Sequence, residues 1–201
     1  MPISNTYKRK TWILTLFFII FFGPNIMAQD FEFKNSSIKT GIGIGVNEGE
    51  REAGVGIVYS LGWQKSFGEK NRFRINPNVV FGGFSPIGIS DTRDQFYKIS
   101  NVGFNIHYDV LRYKALSLVA TVGGFVNYSR GLLGTGGRDA NNNKSQYLYA
   151  LYYGGSGSLG IRIDPKKSKL AYEIRPFSIH AGNKNFILGY FMVGIDFKLR
   201  K

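Results

Sequence analysis

The chain has 201 residues and a formal net charge of +13, with 26 Lys and Arg against 13 Asp and Glu. It contains no cysteine, which excludes both a disulfide framework and a lipid-modified N-terminal cysteine. The basic residues are spread over connectors and polar strand faces, so nucleic acid is not an expected partner.

The first element that the sequence predicts is an export signal. A basic stretch at 8–10 precedes an uncharged apolar run at 11–22, and Ala28 supplies a small residue before the cleavage point. The apolar run is much shorter than the roughly 20 residues that a membrane-spanning helix needs. We therefore predict a cleaved signal peptide over 1–28 and one mature domain over 29–201, with 23 basic and 13 acidic residues and a net charge of +10.

Beyond the signal, apolar and polar side chains alternate in eight successive segments. A period of two residues is typical of a strand with one apolar and one polar face. In chain order the predicted strands cover about 38–46, 53–66, 72–83, 96–109, 115–129 and 147–163, with a seventh beginning near 169 and an eighth after 185. This pattern predicts an all-β fold: an eight-stranded antiparallel up-and-down transmembrane β-barrel.

The connectors between these segments alternate in length. The two long ones, 84–95 and 130–146, are odd-numbered along the chain, whereas the even-numbered connectors are all short. Long loops at one end and short turns at the other are expected of outer-membrane barrels. Pro77 and Pro176 interrupt the pattern, and because proline cannot donate to a ladder we expect both near an interface or a bulge.

Alternation alone does not decide which face points outward. A lipocalin-like barrel would turn its apolar face inward and its polar face to water. The glycines on the polar face, such as Gly41, Gly43 and Gly45, fit a crowded interior, and Trp63 lies near a strand end, as interfacial aromatic residues do. These features favour an apolar face that is turned toward lipid.

The signal ending in Ala28, the eight strands and the closing stretch Gly194-Ile195-Asp196-Phe197 resemble the small outer-membrane β-barrel proteins of Bacteroidetes-type Gram-negative bacteria. These are similar in architecture to the OmpA barrel and OmpX. The resemblance implies a monomer in the cell outer membrane that contacts outer-membrane lipid and lipopolysaccharide and is inserted by the barrel-assembly machinery. Such barrels commonly end on an aromatic residue, and the chain departs from this because four residues follow Phe197.

Several charged and amide residues stand at the alternate strand positions that face the barrel interior, where unpaired charge is costly. They could line a pathway for ions or solutes, as in a narrow porin-like channel. They could also form a plug of paired charges, which we favour because eight strands leave little free interior. The predicted lumen polar network consists of Arg72, Arg74, Asn76, Asn101, Asn105, His107, Asp109, Arg162, Glu173, Arg175, Asp196 and Lys198.

His180 is the best catalytic candidate. Continuous alternation makes it face lipid near the predicted extracellular end of the barrel, and Ser178 lies two residues before it. This spacing is faintly similar to outer-membrane lipid A 3-O-deacylases, although their order is reversed and no acidic partner is evident. We predict a non-enzymatic barrel without cofactor or metal that acts in envelope structure or through its loops, and keep a porin-like channel and a lipid A-modifying hydrolase as alternatives.

Overall fold

The computed structural model describes residues 33–68, 71–86, 96–134, 145–165 and 168–200. The predicted signal peptide and its cleavage point lie outside the described residues, as do most of the two long connectors. No helix in the described part of the chain is long and apolar enough to cross a membrane.

Eight antiparallel strands form a closed barrel. They are β1 (Phe33–Glu48), β2 (Ala53–Phe67), β3 (Phe73–Pro86), β4 (Phe96–Tyr113), β5 (Leu116–Gly134), β6 (Ser145–Ile163), β7 (Leu170–Gly182) and β8 (Ile187–Arg200). Each strand pairs with its neighbour along the chain, and β1 pairs with β8 to close the sheet. The predicted fold class is confirmed.

The barrel has two distinct ends. We call the end that carries the connectors after β2, β4 and β6 the turn end, and it is also where β1 begins and β8 finishes. The opposite end is the loop end. The two longest connectors, 87–95 and 135–144, both leave the loop end, as the sequence predicted.

Several strands run further than the alternation indicated. We predicted that a loop begins at Phe84, but Phe84 pairs with Tyr97 and β3 continues to Pro86. The connector predicted over 130–146 is likewise shortened, because Leu133 pairs with Gln146 near the tip of the β5–β6 hairpin. At the turn end, β4 extends to Tyr113. The alternation hides the loop-end extensions because the polarity of the two faces changes there, and it hides the extension of β4 because the register shifts between Asp109 and Leu111.

The apolar side chains of the alternating pattern point outward on every strand. Ile44 is 65% exposed and Val122 is 62% exposed, and comparable residues recur on the other strands. Polar and charged side chains of the opposite parity, such as Asn127 and Glu173, are buried inside. This arrangement is the reverse of a lipocalin-like barrel, which hides its apolar face.

The interior is divided into two chemically different halves. At the turn end it holds charged residues, whereas at the loop end it holds a cluster of buried aromatic and aliphatic side chains. This cluster includes Phe84, Tyr97, Ile99, Tyr152, Phe186 and Leu188. The prediction of a polar lumen is therefore wrong for the loop-end half. On β4 the change is visible in sequence: Tyr97 and Ile99 point inward, while Lys98 and Ser100 point outward.

Glycines on the inner face of β1 make room for large side chains from β8. A Cβ atom on Gly41 would lie 2.9 Å from the Sδ atom of Met192, and one on Gly45 would lie 2.7 Å from the Cβ of Tyr190. Met192 and Tyr190 are both buried. The glycines thus allow a narrow interior to be filled by residues from the neighbouring strand β8.

Candidate functional site in the barrel interior

Five charged side chains meet in the turn-end half of the interior. We call them the ion cluster: Lys39 from β1, Arg162 from β6, Glu173 and Arg175 from β7, and Asp196 from β8. All five are buried. Period-two alternation places each on the inner face, and the closure of β1 against β8 brings Lys39 beside the residues from the end of the chain.

Glu173 lies at the centre of the ion cluster. Its Oε2 atom is 2.5 Å from Lys39 Nζ and 3.7 Å from Arg162 Nη1, and its Oε1 atom is 3.2 Å from Arg175 Nε. Arg162 also pairs with Asp196, whose Oδ2 accepts a hydrogen bond of 3.1 Å from Gln64. The cluster holds three cations and two anions, so each carboxylate is surrounded by positive charge.

A third carboxylate links the ion cluster to the turn end. Asp164, in the connector after β6, lies 3.2 Å from Arg162 Nη2 and 2.5 Å from Lys198 Nζ. Burial alone would raise the pKa of Asp164, but the two neighbouring cations hold that pKa below its ordinary value. Lys198 itself is only half-buried and also donates to the carbonyl of Pro165 at 2.9 Å.

The remaining predicted charges form a separate pair on β3 and β4. Arg74 Nη2 lies 2.7 Å from Asp109 Oδ1, and both side chains are buried. His107 is also buried, and its Nδ1 atom is 2.7 Å from Thr121 Oγ1. Arg72 precedes β3 and is half-buried at the turn end. Among the described residues no group of three His, Asp or Glu side chains is arranged to hold a metal ion.

The predicted asparagines are buried but do not join the ion cluster. Asn105 accepts a hydrogen bond of 3.0 Å from Ser156 Oγ, and the amide nitrogen of Asn101 lies 3.3 Å from His180 Nδ1. Asn76 donates to the carbonyl of Trp63 at 2.9 Å. These amides bridge neighbouring and facing strands, and they satisfy polar groups that have little access to water.

The contact of Asn76 explains how β3 tolerates Pro77. The β2–β3 ladder is interrupted between the pairs Gly62↔Asn78 and Lys65↔Ile75, which brackets the position where Pro77 faces Trp63. Proline has no N–H to offer the Trp63 carbonyl, and the side chain of Asn76 donates to that carbonyl instead. The side chain thus replaces a missing backbone donor.

We predict that Asn76→Ala lowers the free energy of unfolding by about 1–3 kcal/mol, the usual cost of leaving a buried acceptor unsatisfied. Adding Pro77→Val restores a backbone N–H opposite Trp63, so the double variant should recover part of the loss. Urea unfolding followed by the fluorescence of Trp63 measures both changes. Asn78→Ala is the matched control, with a smaller expected effect because Asn78 is only half-buried. A double variant no more stable than Asn76→Ala would contradict this explanation.

Pro176 lies in a β-bulge, as predicted, and the bulge changes the orientation of every later residue of β7. Pro176 and Phe177 both face outward, and the register shifts between Arg175 and Ser178 against β8. The pairing with β6 shifts at the same level. Because two consecutive residues face outward, every later residue of β7 points to the side opposite to the one that continuous alternation predicts. Ser178 and His180 therefore point into the barrel.

The lipid-facing orientation predicted for His180 is wrong for this reason. The side chain is 4% exposed and lies in the interior between the two halves. Its Nδ1 atom is 3.3 Å from the amide nitrogen of Asn101, its Nε2 atom is 3.1 Å from the hydroxyl of Tyr190, and its ring packs 4.9 Å from that of Phe125. These contacts hold the imidazole in the packed interior.

Three residues of the interior were missed as candidates. Lys39 lies on the polar face of the first predicted strand, and its charge could have identified it. Gln64 shares that parity on β2 and bonds to the ion cluster. Glu52 lies in the acidic connector between the first two strands, yet it is buried and accepts a hydrogen bond of 2.8 Å from Tyr152. The partner is 100 residues away, so no local signal indicates this contact.

Comparisons with known proteins identify the fold. No model of a known family matches the chain, and no curated protein does. The crystal structure of Neisserial surface protein A superposes with a TM-score of 0.56 at 11% identity, over 84% of this chain and 99% of that one. Ail, the attachment invasion locus protein of Yersinia pestis, superposes with a TM-score of 0.52 at 12% identity, over 84% and 100%.

A second structure of Ail, in complex with the heparin analogue sucrose octasulfate, gives a TM-score of 0.51 at 12% identity, over 82% of this chain and 97% of that one. At these identities the similarity establishes the architecture and no more. The chain has the closed, eight-stranded antiparallel barrel fold of these outer-membrane proteins.

Proposed function

We propose that the protein is a non-enzymatic β-barrel of the bacterial outer membrane, with a closed interior and a role in envelope structure or in surface contact through its loops. The observation that carries this proposal is the distribution of polarity. Large apolar side chains are exposed around the whole outer surface, while the charged residues are paired inside.

The outer surface fits hydrocarbon and not water. A water-soluble monomer rarely exposes an apolar patch larger than a few hundred Å², whereas this apolar surface continues around all eight strands. On β4 the outward apolar run extends from Val102 to Val110, and on β5 it extends from Leu116 to Tyr128. Strands of this length, tilted as in barrels, span roughly the 25 Å of an apolar band. A closed sheet also leaves no edge unpaired in lipid.

The filling of the interior supports a plug in preference to a channel. In the turn-end half the ion cluster joins side chains from the consecutive strands β6, β7, β8 and β1. In the loop-end half, the rings of Tyr152 and Phe186 stack at 4.6 Å and that of Phe125 lies 5.6 Å from Phe186. A conducting pore needs a continuous wet path, whereas buried side chains pack together in both halves of the interior.

The position of His180 opposes the hydrolase alternative. A lipid substrate outside the barrel would have to reach an imidazole that is buried inside it. We predict that His180→Ala leaves the acylation of lipid A unchanged in cells, as does deletion of the whole gene. Mass spectrometry of extracted lipid A checks this. A deletion that alters acylation, reproduced by His180→Ala in a correctly inserted barrel, would restore the enzyme hypothesis.

The architecture of the loop end supports a role at the cell surface. The fold is shared with a protein named as a surface protein and with one named for attachment and invasion. In this chain the two longest connectors leave the same end of the barrel, which we assign to the cell exterior. We propose that these connectors make the surface contacts, and that the chain acts as a monomer inserted by the barrel-assembly machinery.

The experiment that tests the proposal compares the mobility of the outer-membrane fraction on SDS gels before and after boiling. A closed barrel resists SDS until it is heated, so we expect a mobility shift in that fraction. Planar-bilayer recordings of the purified barrel should then show no stable single-channel conductance. A protein that is recovered in the periplasm without a shift would refute the membrane assignment, and a defined conductance would replace the plug with the channel alternative.

A further inference from the structure

Two cations lie opposite each other on the outer face of the barrel near the loop end. Lys98 on β4 pairs in register with Arg130 on β5, and both side chains are exposed. Like charges that are directly opposite in a sheet repel and destabilise the pairing. Within the described ranges neither residue forms an ion pair with a carboxylate. The arrangement therefore favours an anion supplied from outside the described fold.

Aromatic side chains flank the two cations. Lys98 Nζ lies 5.8 Å from the centroid of the Phe96 ring. The same ring covers Gly83 on β3, where a Cβ atom on the glycine would lie 2.8 Å from the ring. On the other side, Tyr149 pairs in register with Arg130 and is 72% exposed. The outer surface thus presents a cross-strand row of aromatic, cation, cation and aromatic side chains.

The level of this row along the barrel identifies the kind of anion. From this row toward the turn end, the outward residues of β4 are apolar from Val102 to Val110. At its own level the outward residues Lys98 and Ser100 are polar, so the continuous outward apolar run of β4 ends before this level is reached. Lys98 and Arg130 consequently lie at the loop-end boundary of the apolar band. An anion at this boundary that also contacts the band must carry acyl chains.

We propose that Lys98 and Arg130 form a binding site for a phosphate group of a phosphorylated glycolipid in the outer leaflet, of the lipid A type. The inference rests on the proposed membrane location and orientation of the barrel. Arg130 can bind phosphate oxygens in the bidentate geometry of a guanidinium, and Lys98 adds a mobile point charge. The acyl chains then lie along the apolar strands beneath the pair, and the repulsion between the cations is neutralised.

The test compares two double variants that each lose two cations. Lys98→Gln with Arg130→Gln removes the proposed site. Lys65→Gln with Lys114→Gln is the matched control, because both lysines are exposed, lie over aromatic rings at 5.4 and 5.3 Å, and stand at the turn end. Binding of purified lipid A to the detergent-folded barrel is measured by native mass spectrometry. We expect the site variant to bind about tenfold more weakly or worse, since charge-assisted contacts are lost, and the control to bind like the parent.

Dephosphorylated lipid A and inorganic phosphate separate the possible sources of the anion. With dephosphorylated lipid A, parent and site variant should bind equally weakly, because the group recognised by the cations is missing. Inorganic phosphate alone should not bind measurably. An equal loss in the control pair, unchanged affinity in the site variant, or full competition by inorganic phosphate would each overturn the proposal. If every variant still shifts on boiling and fractionates with the outer membrane, such a result refutes the lipid site and leaves the proposed function standing.

Discussion

Replacing Glu173 with glutamine should lower the free energy of unfolding by about 3–5 kcal/mol, the range found when one partner of a buried ion pair is removed. Glutamine keeps the size of the side chain but cannot neutralise Lys39 at 2.5 Å or Arg175 at 3.2 Å. The three buried cations of the ion cluster would then face Asp196, the one carboxylate left in the cluster, and Asp164, which contacts Arg162 alone among them. Urea titration of the folded barrel in lipid vesicles, followed by Trp63 fluorescence and gel mobility, gives the measurement.

The charge balance of the ion cluster supplies an internal control for this prediction. Lys39→Met removes one of three cations and leaves two cations with two anions, so its cost should be clearly smaller than that of Glu173→Gln. When Glu173→Gln and Lys39→Met are combined, the free energy of unfolding should fall by less than the sum of the two single losses. Each change removes the partner that the other leaves unpaired. Glu50→Gln removes an exposed contact of 3.7 Å to Lys184 and should cost less than about 1 kcal/mol. Equal losses for Glu173→Gln and Lys39→Met would refute the argument from charge balance.

Arginine placed at Val122 should destabilise the barrel in a bilayer by about 2–4 kcal/mol, the cost of a lipid-facing charge at the midplane. Val122 is the central member of the outward apolar run on β5 and is 62% exposed. Its outward direction means that no interior packing is lost, so the effect isolates the interaction with lipid. Reversible folding into phospholipid vesicles, titrated with urea, measures the difference.

Leu116→Arg is the matched control, since Leu116 lies on the same face of the same strand but at the turn end. There arginine can extend into the headgroup region, so the expected cost is only about 0–1 kcal/mol. A large loss of stability for arginine at Val122 together with a small loss at Leu116 supports the apolar band as a lipid-facing surface. If both variants are neutral, or if arginine at Val122 improves the behaviour of the protein in water, the outer surface is not in contact with lipid.

Much of the fold could be predicted because one local rule governs most of it. Period-two alternation fixed the number of strands, their order and the outward direction of residues such as Ile44 and Val122. The rule fails where the environment changes along a strand. At the loop end of β4 the inward residues become apolar and the outward ones polar, so Tyr97 and Lys98 carry the opposite pattern while the strand continues. Pairing across the sheet, which is a non-local interaction, determines where such a strand ends.

The sequence allowed us to predict which residues of the candidate site point inward, but not which of them contact one another. Parity placed Arg162 and Glu173 on one face, yet their contacts depend on the closure of the barrel and on side chains from four different strands. His180 was assigned to the wrong face because a single bulge at Pro176 and Phe177 reversed the parity. The proline signalled a bulge in the sequence, but only the registers against β6 and β8 show that two consecutive residues face outward.

The pairing of β1 with β8 has a consequence for how such a barrel comes into existence. Until the strand over 187–200 is in place, β1 and β7 each present a row of free N–H and C=O groups, and hydrocarbon offers them no partner. In water the same open edges are templates for pairing with other chains. A seven-stranded intermediate therefore has no stable location in either solvent. The complete chain therefore has to reach the membrane before the barrel closes there by pairing β8 with β1. A nascent chain that is arrested before β8 should aggregate instead of inserting as a smaller barrel.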